Sequence, residues 1–225
     1  MRRSLILTAG CAAVLLLAAS CSTSPPKIAQ TFWQLNLVRN PATDRSHESL
    51  SLFLHVTDDN GLNDLDLIYL INDATELYWR LQPSNWQVLD ENGEQWVGSN
   101  SIEMPDLSAL PRGGYRVLLS NLAGERVTDD IFVSAERLNA AGDGFPEISI
   151  SGGKVTVRKS PFEPVLWLFN PSGRLVGTRR GSGTYPATSL VPSGGQGSIP
   201  LTLYAYAYDK NCGCGLISGP YDTGS

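Results

Sequence analysis

Residues 106–120 read Asp-Leu-Ser-Ala-Leu-Pro-Arg-Gly-Gly-Tyr-Arg-Val-Leu-Leu-Ser. Pro111 and the Gly113-Gly114 pair punctuate the chain, and residues 115–120 read as the strand they lead into. Upstream, Asn92-Gly93 lies between residues 86–89 and 95–97, the sequence of a tight hairpin. Leu77, Trp79 and Leu81 alternate with Glu76, Tyr78 and Arg80, while the middle of residues 65–71 is apolar on both faces, as suits a central strand. Leu50, Leu52, Leu54 and Val56 alternate with Ser49, Ser51, Phe53 and His55. From Thr31 onward, Trp33, Leu35 and Leu37 alternate with Gln34 and Asn36. Both stretches read as half-buried strands. Downstream, a hairpin through Ala123-Gly124 leads to residues 127–133. That makes roughly seven or eight strands in about 105 residues, as a β-sandwich requires.

The run Leu110-Pro111-x-Gly113-x-Tyr115, entering a strand, resembles the tyrosine corner of immunoglobulin-like and fibronectin type III sandwiches. The resemblance implies that the Tyr115 hydroxyl bonds back to upstream backbone. Val117 stands where a true immunoglobulin domain carries its second disulfide cysteine. The expectation is therefore Ig-like or fibronectin-like, without the disulfide.

The region from Ser134 to Gly144, with its Ala, Glu, Arg and Gly, reads as a linker or a single helical turn, and a domain boundary is placed there. Beyond it, residues 147–150, 154–158, 165–169, 174–178, 188–191, 201–208 and 215–218 read as short strands, with Gly/Ser-rich loops at 181–183 and 193–198. The fold expected is all-β: two Ig-like antiparallel β-sandwich domains, residues 31–134 and a smaller one at 145–219.

Ahead of them, Arg2 and Arg3 precede an apolar run over residues 5–19, broken only by Thr8 and Gly10. At about 15 residues it suits a signal peptide and falls short of the ~20 that a transmembrane helix needs. Ala18-Ala19-Ser20-Cys21 resembles the lipobox at which bacterial lipoproteins are lipidated and cleaved, with Ala18 where the pattern prefers Leu. The resemblance implies a signal peptide at 1–20, lipid on Cys21 and a tether at 21–30 holding the fold to a membrane of the cell envelope. Ser22, in place of an inner-membrane retention Asp, points to the outer membrane. The mature chain would have 205 residues, 15 basic and 22 acidic, a net charge near −7. An acidic chain without a basic stripe excludes nucleic acid as a partner.

No His-Glu-x-x-His, Gly-x-Ser-x-Gly or Gly-x-x-x-x-Gly-Lys motif is present, and His47 and His55 are the only histidines. No catalytic residue, cofactor or metal is assigned. Asp58-x-Asn60-Gly61-x-x-Asp64-x-Asp66 has the oxygen content of a calcium loop without EF-hand spacing. The simpler reading is a turn whose side chains bond local backbone. Cys212-Gly213-Cys214 reads as a disulfide-stapled turn, since envelopes are oxidising. Tyr204, Tyr206 and Tyr208 alternate with Leu203, Ala205 and Ala207 and so share one strand face. Facing out, they form an aromatic ligand surface; facing in, they are core. Packing that is at least partly buried is expected, and likewise for Trp79, Trp86 and Trp96. The functional expectation is a non-enzymatic binding or scaffolding module with a protein or glycan partner. The rival is a carbohydrate-active enzyme or its accessory subunit.

Overall fold

The computed structural model describes residues 25–58, 60–134, 144–158, 160–190 and 201–222. These form fifteen strands: β1 (Lys27–Asn40), β2 (Arg45–Thr57), β3 (Leu65–Asn72), β4 (Leu77–Leu81), β5 (Gln87–Glu91), β6 (Glu94–Ile102), β7 (Gly113–Asn121), β8 (Arg126–Val133), β9 (Ile148–Ser151), β10 (Lys154–Val157), β11 (Val165–Phe169), β12 (Leu175–Arg180), β13 (Gly183–Pro186), β14 (Thr202–Asp209) and β15 (Cys214–Asp222). Two 3-10 turns, Leu62–Asp64 and Ala187–Ser189, complete the described elements.

Local chemistry sets the connections. Asn92 (φ 57°) and Gly93 (φ 84°) both adopt the left-handed region that a two-residue type I′ hairpin demands, and they join β5 to β6. Strand alternation then sets the faces. Leu35, Leu50, Leu52 and Leu54 from β1 and β2 meet Ile68, Leu70, Val117, Leu119 and Ile131 from the facing sheet in one core. At about 1.5–3 kcal/mol for each fully buried aliphatic side chain, this clamp is the main stabilising term of the first sandwich.

That sandwich pairs the order β1-β2-β6-β5 with the sheet β4-β3-β7-β8. In immunoglobulin naming these are A-B-E-D and C′-C-F-G, so the fold is Ig-like by strand order. The tyrosine corner is present: the buried Tyr115 donates its hydroxyl to the Pro111 carbonyl at 2.7 Å. The second sandwich repeats the plan without a D strand. Its sheet β9-β10-β13 (A-B-E) faces β12-β11-β14-β15 (C′-C-F-G), and Val155, Val157, Leu166, Leu168 and Leu203 lie in its core.

The two sandwiches share a sheet. The last strand, β15, pairs in parallel with the first, β1, from Asn36↔Gly215 to Arg39↔Ser218. The result is one eight-stranded sheet, β12-β11-β14-β15-β1-β2-β6-β5, antiparallel at every other junction. Each sandwich thereby covers a sheet edge of the other, an edge that would otherwise expose unpaired N–H and C=O groups. A small apolar cluster of Leu37, Phe145, Cys214 and Leu216, with Phe162 against it, seals the junction.

Several local expectations change. The first strand starts at Lys27, not Thr31, because Lys27 and Ile28 pair with Thr57 and Val56 and Ile28 packs against the core. His47 and His55 both sit in β2. β2 is buried on both faces from Glu48 to Leu54, since neighbouring side chains cover its outer side. Of residues 188–191, the described ones form a 3-10 turn and the residue after it, not a strand. The strand lies earlier, at β13, where Tyr185 reaches the second core. β15 extends beyond residues 215–218 to Asp222. The signal peptide, Cys21, residues 135–143 of the linker and the 193–198 loop lie outside the described residues.

Candidate functional site

The outer face of the eight-stranded sheet, turned away from both cores, carries the unusual chemistry. On β14, Leu203 and Ala205 enter the second core while Tyr204, Tyr206 and Tyr208 face outward. They are therefore not core. Tyr204 and Tyr206 are half-buried, and Tyr208 is exposed. What covers them is a diagonal pairing with β11. Trp167 stacks on Tyr206 with ring centroids 4.9 Å apart and planes 14° off parallel, and Phe169 meets Tyr204 edge-on at 5.6 Å. Burial pushes the Tyr204 hydroxyl above its ordinary pKa, with Asp222 adding to the shift.

From Tyr206 a hydrogen-bonded chain crosses the sheet. Gln34 Nε2 donates to the Tyr206 hydroxyl (2.9 Å) and to Asn36 Oδ1 (3.0 Å). Asn36 Nδ2 donates to Ser51 Oγ (3.0 Å), which donates to Asn100 Oδ1 (2.8 Å); Asn100 Nδ2 donates to Gln87 Oε1 (3.2 Å). The chain reaches from the second sandwich to the far edge of the first. It exists because β15 offers no side chain in its path. A Cβ at Gly215 would lie 2.1 Å from Asn36 Oδ1, 2.5 Å from Gln34 Nε2 and 2.9 Å from the Tyr206 ring. The middle of the chain, Asn36 and Ser51, is buried, Gln34 and Tyr206 are half-buried, and Asn100 and Gln87 are exposed. At its other end the face becomes aromatic again: Phe32 is 46% exposed, with Phe53 as its cross-strand partner, and His55 and Trp96 lie 5.4 Å apart. Trp79 and Trp86 pack against the first core, and Trp79 donates to the Glu103 carbonyl.

The other sequence candidates have local partners. Asp58 Oδ1 accepts the Asn60 N–H and Asn60 Nδ2 donates to Asp64 Oδ2, within one loop. Asp58 Oδ2 and, on the adjoining β7–β8 side, Glu125 Oε2 are buried without hydrogen-bond partners. Among the described residues no group of three or more His, Cys, Asp or Glu side chains is placed to hold a metal. Cys212 and Cys214 are joined in a disulfide in the turn between β14 and β15, their Cα atoms 5.4 Å apart. Cys214 is part of the junction cluster. His47 lies 3.3 Å from Glu103. An open depression of about 200 Å³ at the junction includes Arg39, Glu147, Arg158 and Tyr221 in its lining. Its Glu147 carboxylate is paired with Arg158 and Arg39 is paired with Asp44.

Sequence reasoning missed the Trp167–Tyr206 stack and the Gln34–Asn36–Ser51–Asn100 chain. Their signal was the polar side of two alternating strands, Gln34 and Asn36 on one and Ser49 and Ser51 on the other, which alternation assigns to solvent.

No protein-family model matches the chain, and no curated protein does. Among solved structures it is similar to dimeric latent PorU from Porphyromonas gingivalis: TM-score 0.35, 13% identity, 89% of this chain and 20% of that one. The chain thus spans about a fifth of the PorU chain. It is also similar to the structure of Dpr11 IG1 bound to DIP-gamma IG+IG2: TM-score 0.23, 13% identity, 86% of this chain and 98% of that one. Both likenesses are too distant to bear on function, and the Ig-like assignment rests on strand order and the tyrosine corner.

Proposed function

We propose that this chain is a lipid-anchored lipoprotein of the cell envelope that acts without catalysis, docking a protein partner on the outer face of its eight-stranded sheet. The observation that carries the reading is the half-buried, pre-ordered surface of Trp167, Tyr206 and Gln34, held in place by the buried Asn36 beneath it. Eight strands spaced by ~4.8 Å, some of them eight or more residues long at ~3.3 Å each, offer a face of the order of 800 Å². That is what one partner contributes to a standard interface. Tyr and Trp are the side chains that most often dominate such interfaces. A sugar platform uses open ring faces, and the stack already covers one face each of Trp167 and Tyr206.

The arginines at positions 2 and 3, the 15-residue apolar run and the small residues before Cys21 support the anchor. With β1 starting at Lys27, five residues separate Cys21 from the first strand. At ~3.3 Å each they reach roughly 17 Å, so the fold sits against its membrane. Two experiments separate the claims. Cys21→Ser is expected to abolish palmitate labelling and release the chain from the membrane fraction; continued labelling refutes the anchor. Trp167→Ala with Tyr206→Ala, made in the anchored chain, is expected to abolish co-isolation of the partner. Unchanged co-isolation, or binding of cell-wall glycan lost in the same variant, refutes the protein-docking reading.

A further inference from the structure

The shared sheet ends in two edges of opposite charge. At one end β12 carries the exposed Arg179 and Arg180, preceded by Arg174. At the other, β5 carries the exposed Asp90 and Glu91, with Glu94 opposite on β6. None of Arg179, Arg180, Asp90 and Glu91 is in an ion pair among the described residues. Like edges of two copies repel, while unlike edges attract.

Strand direction and side-chain parity agree with that attraction. Counting direction across the sheet through its one parallel junction, β12 and β5 point the same way. A copy placed beside another by simple repetition of the sheet therefore sets β5 against β12 in parallel. The register that brings Arg179 opposite Asp90 and Arg180 opposite Glu91 also brings Thr178 opposite Leu89. Thr178 pairs with the outward Trp167, and Leu89 with the outward Trp96, so both lie on the outer face. Arg180 and Glu91 share that face; Arg179 and Asp90 share the other. No residue has to switch sides. Leu89 (45% exposed) and Val88 (50% exposed) would lose apolar surface to water in the contact.

We infer that the β5 edge of one copy pairs in parallel with the β12 edge of a second copy, extending the eight-stranded sheet from chain to chain. The contact is heterologous, and any two joined copies keep one free β12 edge and one free β5 edge between them. Strand twist then turns the repeat into an open helical chain, not a closed dimer. This goes beyond the proposed partner docking, which uses the sheet's face and not its edges.

The test is sedimentation of the full chain in nonionic detergent over a concentration series, at low and at high salt. The expected result is a mean mass that rises past the dimer at low salt and falls to the monomer at high salt, because Coulomb pairing is screened. R179E/R180E and D90K/E91K should each be monomeric, and an equimolar mixture of the two should associate again, since every β5–β12 contact between them is of opposite sign. Wild type that stays monomeric at every concentration overturns the inference, as do variants that associate like wild type or a mixture that does not recover. Should a charge variant fold poorly by circular dichroism, a short thiol crosslinker decides. Leu89→Cys mixed with Thr178→Cys must give a crosslinked heterodimer. Absence of that product, or equal Leu89→Cys homodimer, overturns the parallel register.

Discussion

Replacing Glu48 tests how the first sandwich holds its tyrosine corner. Glu48 lies on the core side of β2 at 4% exposure, and its carboxylate accepts two bonds from Arg112, at 2.7 and 2.8 Å, and one from the Leu110 N–H at 3.0 Å. Arg112 also donates to the Leu110 carbonyl. The pair thus clips the segment before β7 to the sheet and places Pro111 for the Tyr115 hydroxyl. Breaking a buried pair from one side costs about 3–5 kcal/mol, whereas an exposed pair contributes about 0–1. Glu48 is nine-tenths buried but the Arg112 side chain is 23% exposed, so water can reach the guanidinium once it is freed. Glu48→Ala should therefore cost about 3 kcal/mol, near the lower end of the buried range. Glu48→Gln retains one acceptor and loses the charge, and should cost about 2. Urea unfolding reads both as a fall in midpoint at unchanged slope. A loss below about 1 kcal/mol for Glu48→Ala would mean that the pair behaves as a surface pair, and the clip argument fails.

Other perturbations separate the remaining parts of the fold. Tyr115→Phe removes the bond to Pro111 and should cost about 1 kcal/mol in the same assay. Burial raises the Tyr115 pKa from 10.0 to about 12. The fold thus favours the neutral phenol, and this contribution is intact below pH 10 and lost as pH climbs toward 12. Wild type should lose ~2–3 kcal/mol across that window that Tyr115→Phe does not lose, and parallel pH curves would contradict the assignment. Gly215→Ala must displace Asn36, Gln34 or Tyr206 and should cost about 1–3 kcal/mol; a neutral outcome would show that the polar chain is slack. Gly98→Ala meets the Leu52 carbonyl at 1.9 Å, which is backbone, and should cost more than Gly215→Ala. Cys212→Ala with Cys214→Ala opens a ring of three residues, for which chain entropy gives only ~1.6 kcal/mol. A loss several times larger in reductant-free unfolding would assign the bridge a larger part in sealing the junction.

Much of the first sandwich was legible because its signals are local. Asn92-Gly93 fixes a hairpin by its own backbone preference, and Leu110-Pro111-x-Gly113-x-Tyr115 carries its hydrogen bond within five residues. Period-two alternation gave the strands and their inner faces, and it placed the β14 tyrosines together. What alternation cannot express is which sheet edge a strand meets. The β1–β15 pairing joins residues about 180 positions apart, and nothing local to Asn36 or Gly215 announces it. That pairing is what turns an ordinary polar side, Gln34 and Asn36, into a partly buried hydrogen-bonded chain shared by two sandwiches. The same limit explains the missed start of β1 at Lys27: Pro26 and Lys27 read as tether until Thr57 is known to be opposite. It also explains β13, four residues long and Gly/Pro-bounded, whose only strong claim is Tyr185 in the second core.

The central claim, that the outer face of the shared sheet docks a different protein, is tested most directly by photocrosslinking in intact cells. A photoreactive residue is placed in turn at Phe32 and Tyr208, exposed on that face, and at Tyr78 and Phe132, exposed on the opposite sheet. The account predicts one discrete heavier product, containing a second protein, from Phe32 and Tyr208 and none from Tyr78 and Phe132. Equal products from all four positions, or products only from Tyr78 and Phe132, would contradict it.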